Sequence, residues 1–276
     1  MMTFASFLVV MALTLPGKAP DRLVWSDEFE YTGKPDPAKW TYDLGFIANQ
    51  EKQYYTDHLE NARVENGCLV LEARRENIAN KDHGNPDLMN TWAEYKATID
   101  TARYTSARIK TEDLAEWQYG RIEVRAKLPA GRGMWPAIWM LSESRETVGW
   151  PECGEIDIME HVGYDPDTIH GTIHTKAYNH MIGTQKGKTI FIEEPYDQFH
   201  VYSIEWTPEK IDFLLDGIVY NHIQNEHLTT AEWPFDQKFY LILNLAVGGS
   251  WGGAKGVDDS VFPARMLVDY VRVYQP

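Results

Sequence analysis

The sequence predicts an all-β chain folded as a sandwich or barrel in one domain. Short runs rich in Val, Ile, Tyr, Phe, Trp and Thr recur between turn signals, and several alternate apolar and polar with period two. No stretch of a dozen residues carries an amphipathic helical pattern. Strands of this number and spacing close into sandwiches or barrels that often run to about 200–250 residues as one unit. The chain has 276 residues, enough to bury a large core.

In chain order the runs are RLVWSDEF from Arg22, CLVLEARR from Cys68, YTSARIKTE from Tyr104, YGRIEVRAKL from Tyr119 and MWPAIWML from Met134. GEIDIME from Gly154, IHGTIHT from Ile169, FHVYSIEWT from Phe199, KIDFLLDG from Lys210, FYLILNLAV from Phe239 and LVDYVRVYQ from Leu267 follow. In the YGRIEVRAKL run, Ile122, Val124 and Ala126 oppose Glu123, Arg125 and Lys127, the alternation of a half-buried strand. Leu-Asp-Gly at 215–217, between KIDFLL and IVYNHI, reads as a tight hairpin. Asn77–Asp100 is polar and irregular and reads as a long surface loop, and Ala177–Pro195 as a second loop.

Composition narrows the function. Lys and Arg total 26 against 41 Asp and Glu, a net charge of −15. Without basic runs, this field disfavours nucleic acid and anionic membrane surfaces and suits a neutral ligand. Many of the 10 Trp and 15 Tyr suit the core, and a surplus of Trp also suits a groove that stacks flat, weakly charged ligands. The apolar run Phe4–Leu15 is too short to span a bilayer and fits the h-region of a signal peptide over residues 1–19. Residues 20–276 then form the mature domain, secreted or periplasmic and monomeric. Two cysteines, Cys68 and Cys153, make no disulfide framework and are expected as buried free thiols, with a single bridge as the alternative.

EIDIME, Glu155–Glu160, departs from its own pattern. Glu155 and Asp157 share one face of a strand and Ile156 and Ile158 the other, yet simple register sends Glu160 into the core. An unpaired carboxylate there is too costly. A β-bulge near Ile158–Met159 resets the alternation and returns Glu160 to the face of Glu155 and Asp157. Three acids in a row are compatible with a solvated face, a divalent-cation site or the carboxyl pair of a glycosidase. The neighbouring Trp135, Trp139 and Trp150 favour the last, because sugar faces pack on aromatic rings. In that reading Glu155 is the nucleophile, Glu160 the general acid/base, and Asp157 tunes and orients the pair.

GEIDIMEHVG, together with NQEKQYYTD from Asn49, GMWPAIWML from Gly133, GTIHT from Gly171, LNLAVGGSWGG from Leu243 and VDYVRVYQ from Val268, resembles the family 16 glycoside hydrolases, in particular the bacterial laminarinases. The resemblance spans Leu23 to Gln275. It implies a jelly-roll β-sandwich of two curved antiparallel sheets, with the substrate cleft on the concave face. It implies the same roles for Glu155, Asp157 and Glu160, with Met159 as the extra residue that lichenase-type members lack. It further implies glucan contacts from Asn49, Glu51 and Arg108 on the non-reducing side, an aromatic wall from Trp135 and Trp139, a cleft histidine, His174, and a rim aromatic, Trp251.

On the convex side the resemblance implies a structural Ca2+ held by Glu28, Gly67 and Asp269, with no cofactor for catalysis. The activity it implies is retaining endo-hydrolysis of β-1,3-glucans such as laminarin. Mixed-linkage β-1,3-1,4-glucan, agarose, and non-catalytic β-glucan binding are the alternatives.

Overall fold

A computed structural model describes residues 22–193 and 195–276; the expected export segment, residues 1–19, lies outside them. The strands are β1 (Arg22–Asp27), β2 (Thr41–Tyr42), β3 (Gln53–Tyr55), β4 (Ala62–Glu65), β5 (Cys68–Ala79), β6 (Thr101–Ser106), β7 (Arg108–Lys110), β8 (Gly120–Lys127) and β9 (Met134–Ser142). They continue as β10 (Glu155–Glu160), β11 (Thr168–His174), β12 (Lys186–Phe191), β13 (His200–Trp206), β14 (Lys210–Leu215), β15 (Ile218–Gln224), β16 (Phe239–Val247) and β17 (Ala264–Gln275). Two short helices, α1 (Glu94–Thr98) and α2 (Arg145–Val148), sit in connections.

The strands form two sheets. The larger runs β15-β14-β13-β8-β17-β5-β6-β3, with β1 on β17 and β4 on β5; the smaller runs β12-β11-β10-β9-β16-β7-β2. The chain passes repeatedly between them, from β8 to β9, from β12 to β13 and from β16 to β17, as the jelly roll requires. One face of each sheet supplies the shared core. Ile122, Val124, Val271 and Val273 of the larger sheet join Ile138, Met140, Ile156, Leu241 and Leu243 of the smaller. The opposite face of the smaller sheet is therefore available for a site.

The predicted hairpin is present. Asp216 and Gly217 connect β14 and β15 with φ of 50° and 80°, the left-handed pair of a type I′ turn, which suits Asp-Gly. Four expectations change. The sheets are antiparallel except for the parallel pair β3/β6. The Ala177–Pro195 segment contains β12, whose KGKTIF sequence lacks an apolar face because it is an exposed edge strand carrying two lysines. The Asn77–Asp100 segment is partly ordered by α1, with Asn80 Nδ2 donating to the carbonyls of Lys96 (2.6 Å) and Ile99 (2.7 Å). Both cysteines are free as expected, but only Cys153 is buried; Cys68 is half-buried.

Candidate active site

The bulge lies where the sequence places it. Against β9, Asp157 opposes Trp139 and Met159 opposes Ile138, so Ile158 has no opposite residue. Against β11, Asp157 opposes Thr172 and Glu160 opposes His170, which leaves Ile158 and Met159 together facing Gly171. Ile158 and Met159 are both packed in the inter-sheet core, at 1% and 0% exposure. Glu155, Asp157 and Glu160 occupy the other face, registered with Leu141, Trp139 and Ala137. Directly opposed residues share a face, so the same surface carries Asn244 and Ala246 of β16, Arg108 of β7, and His170 and His174 of β11.

Each glutamate has its own indole donor. Trp150 Nε1 donates to Glu155 Oε2 at 3.0 Å, and Trp135 Nε1 donates to Glu160 Oε1 at 3.0 Å. Burial pushes Glu155 up to about 7, opposed by hydrogen bonds from Asp157 and Trp150 and by the positive field of Arg108. Burial pushes Glu160 up to about 8; the charge of Glu155 adds to this and the Trp135 bond opposes it. Asp157, 3% exposed, lies well above the carboxylate range through burial and the charges of Glu155 and Glu160. His174 is held neutral, down to about 4, by burial and by the neighbouring His180. Its Nε2 lies 3.4 Å from Asp157 Oδ2 and 3.9 Å from Glu155 Oε1.

The remaining predicted contacts form one network beside the acids. Glu51, 7% exposed, accepts from Asn49 (3.3 Å), Gln53 (2.6 Å) and Tyr55 (3.3 Å). Asn244 donates to Tyr55 Oη at 3.2 Å and accepts from Trp139 Nε1 at 2.7 Å. Arg108 stacks on Trp139, its Cζ 4.7 Å from the ring centroid, and its Nε pairs with Asp43 at 2.8 Å. Trp251 packs edge-on against Trp135 at 5.4 Å and against His170 at 4.9 Å.

Every residue expected in the cleft thus falls on one surface. Asp43, Gln53, Tyr55, His170, His180 and Asn244 were not foreseen. Asn244 had a readable signal, as the one polar residue in FYLILNLAV.

The expected calcium ligands sit elsewhere. Glu28 accepts from Arg272 through both carboxylate oxygens, at 3.0 and 2.8 Å, and Asp269 accepts from Arg125 at 2.6 Å. Gly67, with φ of 76°, completes the two-residue turn between β4 and β5. Both acids are already neutralised by guanidiniums that would repel a dication. As arranged, this side-chain pair does not fit calcium, and no step below runs through one.

The sequence pattern of glycosyl hydrolases family 16 matches residues 51–272. The chain is 53% identical to the beta-glucanase of Rhodothermus marinus over 270 residues, covering 94% of this chain and 87% of that protein. The X-ray structure of the laminarinase from Rhodothermus marinus superposes with a TM-score of 0.81 at 51% identity, covering 92% of this chain and 97% of that one. A crystal structure of SCLam, a non-specific endo-beta-1,3(4)-glucanase co-crystallized with an oligosaccharide, superposes with a TM-score of 0.82 at 48% identity, covering 94% and 96%. The chain is a glycoside hydrolase and belongs to family 16.

Proposed function

We propose that the protein is a retaining endo-β-1,3-glucanase, with Glu155 as nucleophile, Glu160 as general acid/base and Asp157 as the residue that sets their protonation. The observation that carries the reading is the bulge at Ile158–Met159, which returns Glu160 to the surface of Glu155 and Asp157. The different protonation of the two glutamates supports the division of roles. Glu155, supplied with hydrogen bonds from Asp157 and Trp150, ionises first, while Glu160 at about 8 keeps its proton at neutral pH.

Glu155 attacks the anomeric carbon as the Glu160 proton passes to the leaving oxygen. Conversion of Glu155 to a glycosyl ester removes the negative charge that raises Glu160, so Glu160 becomes a stronger acid just when it must act as base toward water. Trp139 and Trp251, both half-buried, offer ring surface to a neutral glucan, Trp135 is buried and holds Glu160, and Asn49, Glu51 and Arg108 offer polar groups to the glucan's hydroxyls. The apolar run Phe4–Leu15 supports work outside the cytoplasm.

The second reading is cleavage of mixed-linkage β-1,3-1,4-glucan, favoured by the likeness to a non-specific endo-beta-1,3(4)-glucanase at 48% identity. Product profiling on laminarin, curdlan, lichenan and agarose tests both. Oligosaccharides are expected from laminarin and curdlan and none from agarose. Release from agarose alone would overturn the substrate, and glucan binding without hydrolysis would overturn the activity.

A further inference from the structure

Glu155, Asp157 and His174 present three donor atoms that all lie within 4.8 Å of one another. His174 Nε2 is 3.4 Å from Asp157 Oδ2 and 3.9 Å from Glu155 Oε1. In a tetrahedral zinc site, bonds of about 2.0–2.2 Å set neighbouring ligand atoms roughly 3.4 Å apart. The spacing found is therefore close to that of a metal site.

The free valences also converge. Trp150 holds Oε2 of Glu155, which leaves Oε1 toward the imidazole. Asp157 Oδ2 is buried with no hydrogen-bond partner, on a side chain only 4% exposed, and it faces His174, itself 8% exposed. A buried carboxyl oxygen with no hydrogen-bond partner is unfavourable, and a cation would satisfy it.

We infer that Glu155, Asp157 and His174 form an inhibitory site for a first-row transition-metal dication of the Zn2+ or Cu2+ class. One imidazole nitrogen and two carboxylate oxygens suit these ions, whereas Ca2+ asks for six to eight oxygens. The fourth position is left to water from the cleft. The imidazole is already neutral and ready to ligate. The charged and titratable groups facing this site are Glu160 on β10, Arg108 on β7, Arg145 on α2 and His180 after β11. Once bound, the ion occupies the oxygen assigned to attack the sugar, so substrate and metal exclude each other. That inhibitory consequence rests on the function proposed above; the binding itself does not.

Calorimetric titration of the full chain with zinc chloride alone, at pH 7.5, tests the site. The expected result is one ion per chain, with binding at least tenfold weaker in both His174→Gln and Glu155→Gln and unchanged in His180→Gln. With wild type, zinc is expected to raise KM for laminarin without lowering kcat, and EDTA to reverse it. Zinc binding that depends on His174 in a protein inactive on laminarin would keep the site and remove the proposed function. No binding at millimolar zinc, or binding that survives both His174→Gln and Glu155→Gln, would overturn the site.

Discussion

Trp135 donates its indole N–H to Glu160 at 3.0 Å, while Trp150 makes the equivalent bond to Glu155, also at 3.0 Å. Trp135 lies on β9 and Trp150 in the connection between α2 and β10, so each glutamate can be perturbed separately. A donor to a carboxylate stabilises its charged form, and its loss raises the carboxyl further.

Trp135→Phe is therefore expected to move the basic limb of the kcat/KM–pH profile upward by about half a unit to one unit, because the acid holds its proton longer. Trp150→Phe should move the acidic limb upward by a similar amount, so that activity falls most below pH 7. Measured profiles in which both substitutions shift the same limb would contradict the assignment of roles.

Met159 tests the bulge through stability. It is fully buried in the inter-sheet core, so Met159→Ala should cost about 2–4 kcal/mol in urea unfolding. A Met159 that shared the cleft face with the acids would instead cost less than about 1 kcal/mol and lower activity.

Glu160 tests the electrostatics. Its folded carboxyl sits at about 8, above the ordinary 4.5, so the native state holds a proton that the unfolded chain has lost. Wild type therefore loses stability relative to Glu160→Gln as pH rises from about 4.5 to 8. The variant should match wild type near pH 4.5 and exceed it at pH 8 by at least roughly 2–4 °C in Tm, the shift that about 1 kcal/mol produces at this size. Equal melting curves across that range would show that Glu160 is not desolvated.

Asn244 tests the network beneath the cleft. Asn244→Leu leaves the Trp139 indole N–H without its acceptor and removes the bond that the Tyr55 hydroxyl accepts, while that hydroxyl still donates to Glu51. The expected cost is about 1–3 kcal/mol of stability, with a several-fold rise in KM as Trp139 and Arg108 lose their fixed positions. KM unchanged in a folded variant would exclude Trp139 from the substrate surface.

The acids, their bulge and the Trp neighbours were legible because period-two alternation leaves a detectable defect when Met159 interrupts it. The polar layer was not. Asp43 meets Arg108 only after β2 and β7 pair, Asn244 reaches Tyr55 across 189 residues, and register between distant strands leaves no local trace. β12 escaped notice because an edge strand needs no buried face, and its KGKTIF sequence has none. The calcium expectation failed to fit for a related reason. Glu28 and Asp269 are metal ligands only by the family resemblance and ordinary surface acids in the chain itself, and β1 and β8 pair with β17 and bring Arg272 and Arg125 to them.

The most direct test of the central claim is azide rescue of Glu155→Ala and Glu160→Ala on a laminaribioside with an activated aryl leaving group. With Glu160 as acid/base, Glu160→Ala should still form the glycosyl-enzyme and release a β-glycosyl azide. With Glu155 as nucleophile, Glu155→Ala should release an α-glycosyl azide by direct displacement. Reversal of the two products, or the same anomer from both variants, would contradict the assignment.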